Sequence, residues 1–140
     1  MDSQPKAGMP PVTVLLAEFA AAAVVGLVFA VAFYFIIGFA LLPLQLGMGL
    51  LSIQFFAAAA GFGVGAGAGA AMVGRQFGYP GNMWLAMIAG GLTGLIVILG
   101  MSFLRLNVGG LFGMVAIAML LALIEALVMY NLPRLQSLGK

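Results

Sequence analysis

Two carboxylates, Glu18 and Glu125, stand inside long apolar stretches of a chain that has only three acidic residues in all. An acid in such surroundings must be protonated, be paired with a cation, or face a wet crevice. The cations within reach along the sequence are Arg75 and Arg134. Glu18 and Glu125 are therefore candidates for an intramembrane ion pair that fastens helices, or for a proton site, with Arg75 and Arg134 as the basic partners. Other chemistry is restricted by what the chain lacks. It has no Cys and no His, and haem, zinc, iron–sulfur and type-1 copper sites each draw on one or the other. Nucleophilic arrangements built on Cys or His are excluded in the same way. No catalytic set, cofactor or metal is expected. Five scattered cations are too few for a nucleic-acid footprint, and no nucleic-acid partner is expected.

Composition sets the environment of these acids. Hydrophobic residues make up 65% of the 140-residue chain and charged residues 6%, against about 25% charged in an average soluble domain. Eight charged side chains cannot clothe a water-soluble domain of this size. The sequence reads as an all-α integral membrane protein whose immediate surroundings are the lipid bilayer.

Four spans account for nearly all of the length. Residues 1–11, with Pro5, Pro10 and Pro11, read as a flexible polar arm. Apolar runs over about 12–42, 50–74, 83–104 and 110–132 each reach the ~20 residues that a spanning helix needs. Together they make one four-helix transmembrane domain, 12–132. Pro43, Gln45, Gly47 and Gly49 mark the first turn. The stretch Arg75 to Asn82, with Tyr79-Pro80-Gly81-Asn82, is the clearest loop. Pro133 is expected to end helix four, leaving 133–140 as a short polar tail. With four spans, Lys6, Arg75, Arg134 and Lys140 fall on one side and Arg105 on the other, so both termini are expected in the cytoplasm (N-in/C-in) at the plasma (inner) membrane. Tyr79, Trp84 and Tyr130 are then expected at the cytoplasmic interface. Glu18 and Glu125, each some six or seven residues from a helix end on that side, are expected to share a depth.

Small residues supply the packing pattern. Gly61, Gly65 and Gly69 line one face of helix two, and Gly63 and Gly67 line a neighbouring face. In lipid, helices associate where small residues let backbones approach, so both faces are expected to be contacts within the bundle or with a neighbouring subunit. Stripes at spacing four recur in helix one (Glu18, Ala22, Gly26, Ala30), helix three (Ala86, Gly90, Gly94) and helix four (Ala118, Ala122, Ala126). The large residues of helix one, among them Phe29, Phe33 and Phe39, are expected to face lipid or a partner.

The segment Ala122-Leu123-Ile124-Glu125-Ala126-Leu127-Val128-Met129-Tyr130 resembles the helix around the proton-binding glutamate in the rotor-ring proteolipid of rotary ATP synthases. Arg105, twenty residues before Glu125, and the glycine run of helix two are similar to that family's loop and first helix. The resemblance implies a proton-translocating proteolipid centred on Glu125. The order of glycine run and loop, the short stretch from Glu125 to Pro133 and the side assigned to Arg105 all differ from the family's pattern, and its function is not carried over. The expected role is a small non-catalytic membrane subunit or packing factor of a larger complex, with other membrane subunits or further copies as partners. The alternative is a homo-oligomeric channel, carrier or proton-translocating unit using Glu125, Glu18 or both.

Overall fold

The computed structural model describes residues 11–106 and 108–137 and is all-helical over them. The expected polar arm, residues 1–11, lies outside the described residues apart from Pro11. The four helices are α1 Val12–Leu41, α2 Met48–Gln76, α3 Met83–Phe103 and α4 Gly110–Ser137, with a short 3-10 turn at Leu42–Leu44. Each helix is long and apolar enough to cross a membrane.

The connections follow from local chemistry. Pro43 sits in the 3-10 turn after α1, and Gln45 closes that turn in the left-handed region at φ 51°. At the end of α2, Gly78 adopts φ 76°. Its N–H donates to the Arg75 carbonyl at 3.1 Å, and the Tyr79 N–H donates to the Gly74 carbonyl at 2.7 Å. This Schellman pair satisfies carbonyls that the helix end leaves open, and it turns Tyr79 back toward the bundle. The Asn82 side chain then accepts a hydrogen bond from the Leu85 N–H at 3.0 Å and caps α3.

α2 is the central element. It packs against each of the other three helices, whereas α1 and α4 barely meet. Its two glycine faces point to two different neighbours. Gly61, Gly65 and Gly69 lie against α1, where a β-carbon would come within 2.7 Å of Phe33 at Gly61, of Phe29 at Gly65, and within 2.8 Å of the Ala21 carbonyl carbon at Gly69. Gly63 and Gly67 lie against the α3 backbone at Gly90–Gly91 and Ala86–Met87. Gly90 stands between Gly63 and Ala126, and Gly94 lies against Ala59, so α3 is wedged between α2 and α4. The alanines of the α4 stripe, Ala118, Ala122 and Ala126, are fully buried. Phe39 is exposed, as a lipid-facing residue would be, but Phe29 and Phe33 are half-buried over the glycines of α2. The reason is that glycine leaves room for a ring where two backbones run close.

Helix four does not stop where the proline predicts. It runs through Pro133 to Ser137, so most of the expected 133–140 tail is helical and only 138–140 lie outside the described residues. A proline inside a helix forfeits one backbone hydrogen bond. Here side chains on either side of it, Asn131 and Arg134, are anchored to α1, and that anchoring holds the last turn in place.

A buried polar clasp as candidate functional site

The start of α1, the end of α2, the α2–α3 loop and the end of α4 meet at one end of the bundle. Glu18 stands in the buried stripe of α1, between Val14 and Ala22, and is fully buried. Both of its carboxylate oxygens are occupied from α4. Arg134 Nη1 donates to Oε1 at 3.2 Å and Asn131 Nδ2 donates to Oε2 at 3.2 Å. Arg134 Nη1 also donates to Asn131 Oδ1. Asn131 Nδ2 also donates to the Leu127 carbonyl at 2.9 Å, so the amide is fixed to its own helix as it reaches across. Residues 131 and 134 are three apart, and a helix that continues past Pro133 sets them on one face.

Two aromatic rings enclose the guanidinium. Arg134 Cζ stands 5.0 Å from the centroid of Tyr130 and 5.6 Å from that of Tyr79, within cation–π range. The Tyr130 hydroxyl donates to the Tyr79 carbonyl at 3.1 Å, which ties the loop to α4. Gly74 and Gly81 make room for this. A β-carbon at Gly74 would strike the Tyr130 hydroxyl and sit 2.8 Å from Glu18 Oε1, and one at Gly81 would meet the Tyr130 carbonyl. Glu18, Tyr130, Asn131 and Arg134 together join α1 to α4, and the Tyr79 contacts bring in the loop that follows α2.

The arrangement is suited to holding helices together. A carboxylate whose two oxygens each accept a hydrogen bond from a buried donor is neither a free base nor a nucleophile. Breaking such a buried pair from one side is costly, because a desolvated charge is left behind. The Tyr130 hydroxyl donates a neutral hydrogen bond to the Tyr79 carbonyl. Tyr130→Phe is expected to cost about 1 kcal/mol, a small drop in the thermal midpoint with the helical content unchanged.

The other residues singled out in the sequence lie elsewhere. Arg75 is exposed in the last turn of α2 and pairs with neither acid. Glu125 is half-buried and makes no hydrogen bond or ion pair with a described residue. The two acids do not share a depth. Glu18 is held at the level of Asn131 and Arg134, and Glu125 lies six residues before Asn131, about 9 Å further along α4. The expectation of a common depth placed the end of α4 at Pro133, and the helix extends beyond it. Tyr130, expected at an interface, is fully buried inside the clasp, while Trp84 is 68% exposed. Asn131 and Tyr79 are members of the site that the sequence reading missed. The available signal was Asn131 itself, a polar residue one step from Tyr130 and three from Arg134.

Comparison with protein-family profiles, with curated proteins and with solved structures found no match. What the fold defines is a class: the described residues are all-helical, with four helices of membrane-crossing length and apolarity, compatible with a multi-pass membrane protein.

Proposed function

We propose that the chain is a multi-pass membrane protein that serves as a small non-catalytic subunit or packing factor of a larger complex in the plasma (inner) membrane. The observation that carries this reading is that Glu18, Asn131 and Arg134 are spent on one another, at one end of the bundle. The Ser102 hydroxyl is likewise engaged within its own helix, where it donates to the Ile98 carbonyl at 2.8 Å. The outward face of α1 is a run of large apolar side chains, including Val24, Val28, Val31, Phe35 and Phe39, suited to lipid or to the helices of other subunits.

Charge sets the proposed orientation. The clasp end carries Arg75 and Arg134, and the sequence adds Lys6 and Lys140 to that side, against Arg105 on the other. The positive-inside rule then puts both termini in the cytoplasm. Reporter fusions at Lys140 and at Gly109 are expected to report opposite sides of the membrane. Fusions that report the same side would remove this orientation.

Purification in mild detergent, followed by mass spectrometry of everything that co-elutes, tests the subunit reading. Larger unrelated membrane subunits in fixed proportion are the expected result; a particle made of this chain alone would refute it. Glu125 favours a second reading, a homo-oligomeric channel, carrier or proton-translocating unit, because a half-buried acid without a partner among the described residues is a functional site by default in a membrane.

A further inference from the structure

At the end of the bundle opposite the clasp, α1 and α2 part around two neutral polar side chains. Tyr34 and Gln54 line an apolar cavity of about 300 Å³ together with Gly38, Phe39 and Leu42. The Gln54 amide lies over Gly38. Neither the Tyr34 hydroxyl nor the Gln54 amide makes a hydrogen bond with a described residue. A second, wholly apolar cavity of about 320 Å³ shares Tyr34 and Phe35 with the first, and continues between α1, α2 and α4 past Val31, Ala30, Ala58, Val115 and Met119. The two adjoin at Tyr34 and Phe35, with the Gln54 amide at the outer one and only apolar lining past Tyr34 toward the middle of the bundle.

The geometry points to a binding site for one glycerolipid of the bilayer, its acyl chain in the α1–α2–α4 groove and an ester carbonyl accepting hydrogen bonds from Tyr34 and Gln54. This rests on the proposal that the helices cross a bilayer. Tyr34 stands seven residues before the end of α1 and Gln54 six residues after the start of α2, roughly 9–10 Å along each axis. At 30 residues α1 is about 45 Å long against a hydrocarbon core of about 30 Å, so the donors stand near the edge of that core, where the ester linkages lie. Two donors without acceptors suit a carbonyl oxygen. No charged side chain lines either cavity, so recognition runs through the carbonyl and the chain, and a zwitterionic headgroup suffices. An unpaired amide in hydrocarbon is costly, and a lipid carbonyl removes that cost where the protein supplies no acceptor of its own.

The test uses the full chain in nanodiscs that contain equal amounts of diester and diether phosphatidylcholine of the same chain length. Incorporation is scored first, by co-migration of the protein with the discs. A chain that stays out of the discs overturns the membrane reading itself. Lipids retained after transfer to detergent are then identified by native mass spectrometry. Diester lipid should be retained about fivefold over diether lipid, the ratio expected of one neutral hydrogen bond. Gln54→Leu and Tyr34→Phe should each bring that ratio toward one at an unchanged helical signal. Val31→Trp, which fills the groove from an exposed position, should reduce both lipids together. Equal retention of the two lipids by the unaltered chain, or a preference unchanged in both polar variants, would overturn the site.

Discussion

Arg134→Leu is expected to destabilise the bundle more than any other single side-chain replacement, by about 3–5 kcal/mol. The reason is asymmetric. Glu18 is completely buried and sits a full turn and a half inside α1, so once its cation is gone the carboxylate has no short route to water. Removing the acid is milder. In Glu18→Gln the amide still offers an acceptor, and Arg134, in the last turn of α4 and three residues from Ser137, can reach outward along its own aliphatic stem. The double variant Glu18→Leu/Arg134→Leu leaves no orphaned charge and should lose less than the sum of its two single variants. That non-additivity, read from thermal midpoints in one detergent, isolates the pair. Additive losses would mean that the two charges do not act together.

The second large effect belongs to α2. Gly63→Leu is expected to separate α2 from α3, because even a β-carbon at residue 63 would be 2.7 Å from the Gly91 nitrogen, and the atoms it meets are backbone. Backbone cannot rotate away as a side chain can. Overpacking of this kind costs typically 1–3 kcal/mol, and in lipid no hydrophobic force draws the helices back together. Gly65→Leu should act likewise on the α1 side, where Phe29 and the Val25 carbonyl both stand 2.7 Å from the added carbon. Phe39→Leu, at a residue 73% exposed on α1, is the matched control. Thermal midpoints and the fraction of protein running as one species on native gels should fall for both glycine variants and stay level for the control. Equal tolerance at all three positions would show that the glycine faces are not contacts.

The glycine result was legible in the sequence because its cause is local. Spacing of four along a helix puts Gly61, Gly65 and Gly69 on one face, and only close backbone approach rewards so many missing side chains. The same holds for the α1 stripe, where Glu18, Ala22, Gly26 and Ala30 are all buried as their spacing implies. The clasp was half legible. Glu18 and Arg134 stood out as charges in apolar surroundings, but their pairing depended on α4 outlasting Pro133. Proline removes a hydrogen bond from its own helix, and the compensation comes from another helix through Glu18, a contact that no local pattern encodes. The same oversight set Glu125 at the wrong depth and hid Asn131. Phe29 and Phe33 misled for a related reason: a large apolar residue looks alike whether it meets lipid or a glycine on the next helix.

Whether the bundle is a scaffold or a conductor is decided by measuring proton and ion flux through liposomes that contain only the purified chain. A bundle closed by packed glycines, with its buried charges spent on one another, should give flux no greater than protein-free liposomes, in the unaltered chain and in Glu125→Gln alike. A flux that depends on Glu125, present in the unaltered chain and abolished in an equally well-assembled Glu125→Gln variant, would contradict the scaffold and make Glu125 the working residue.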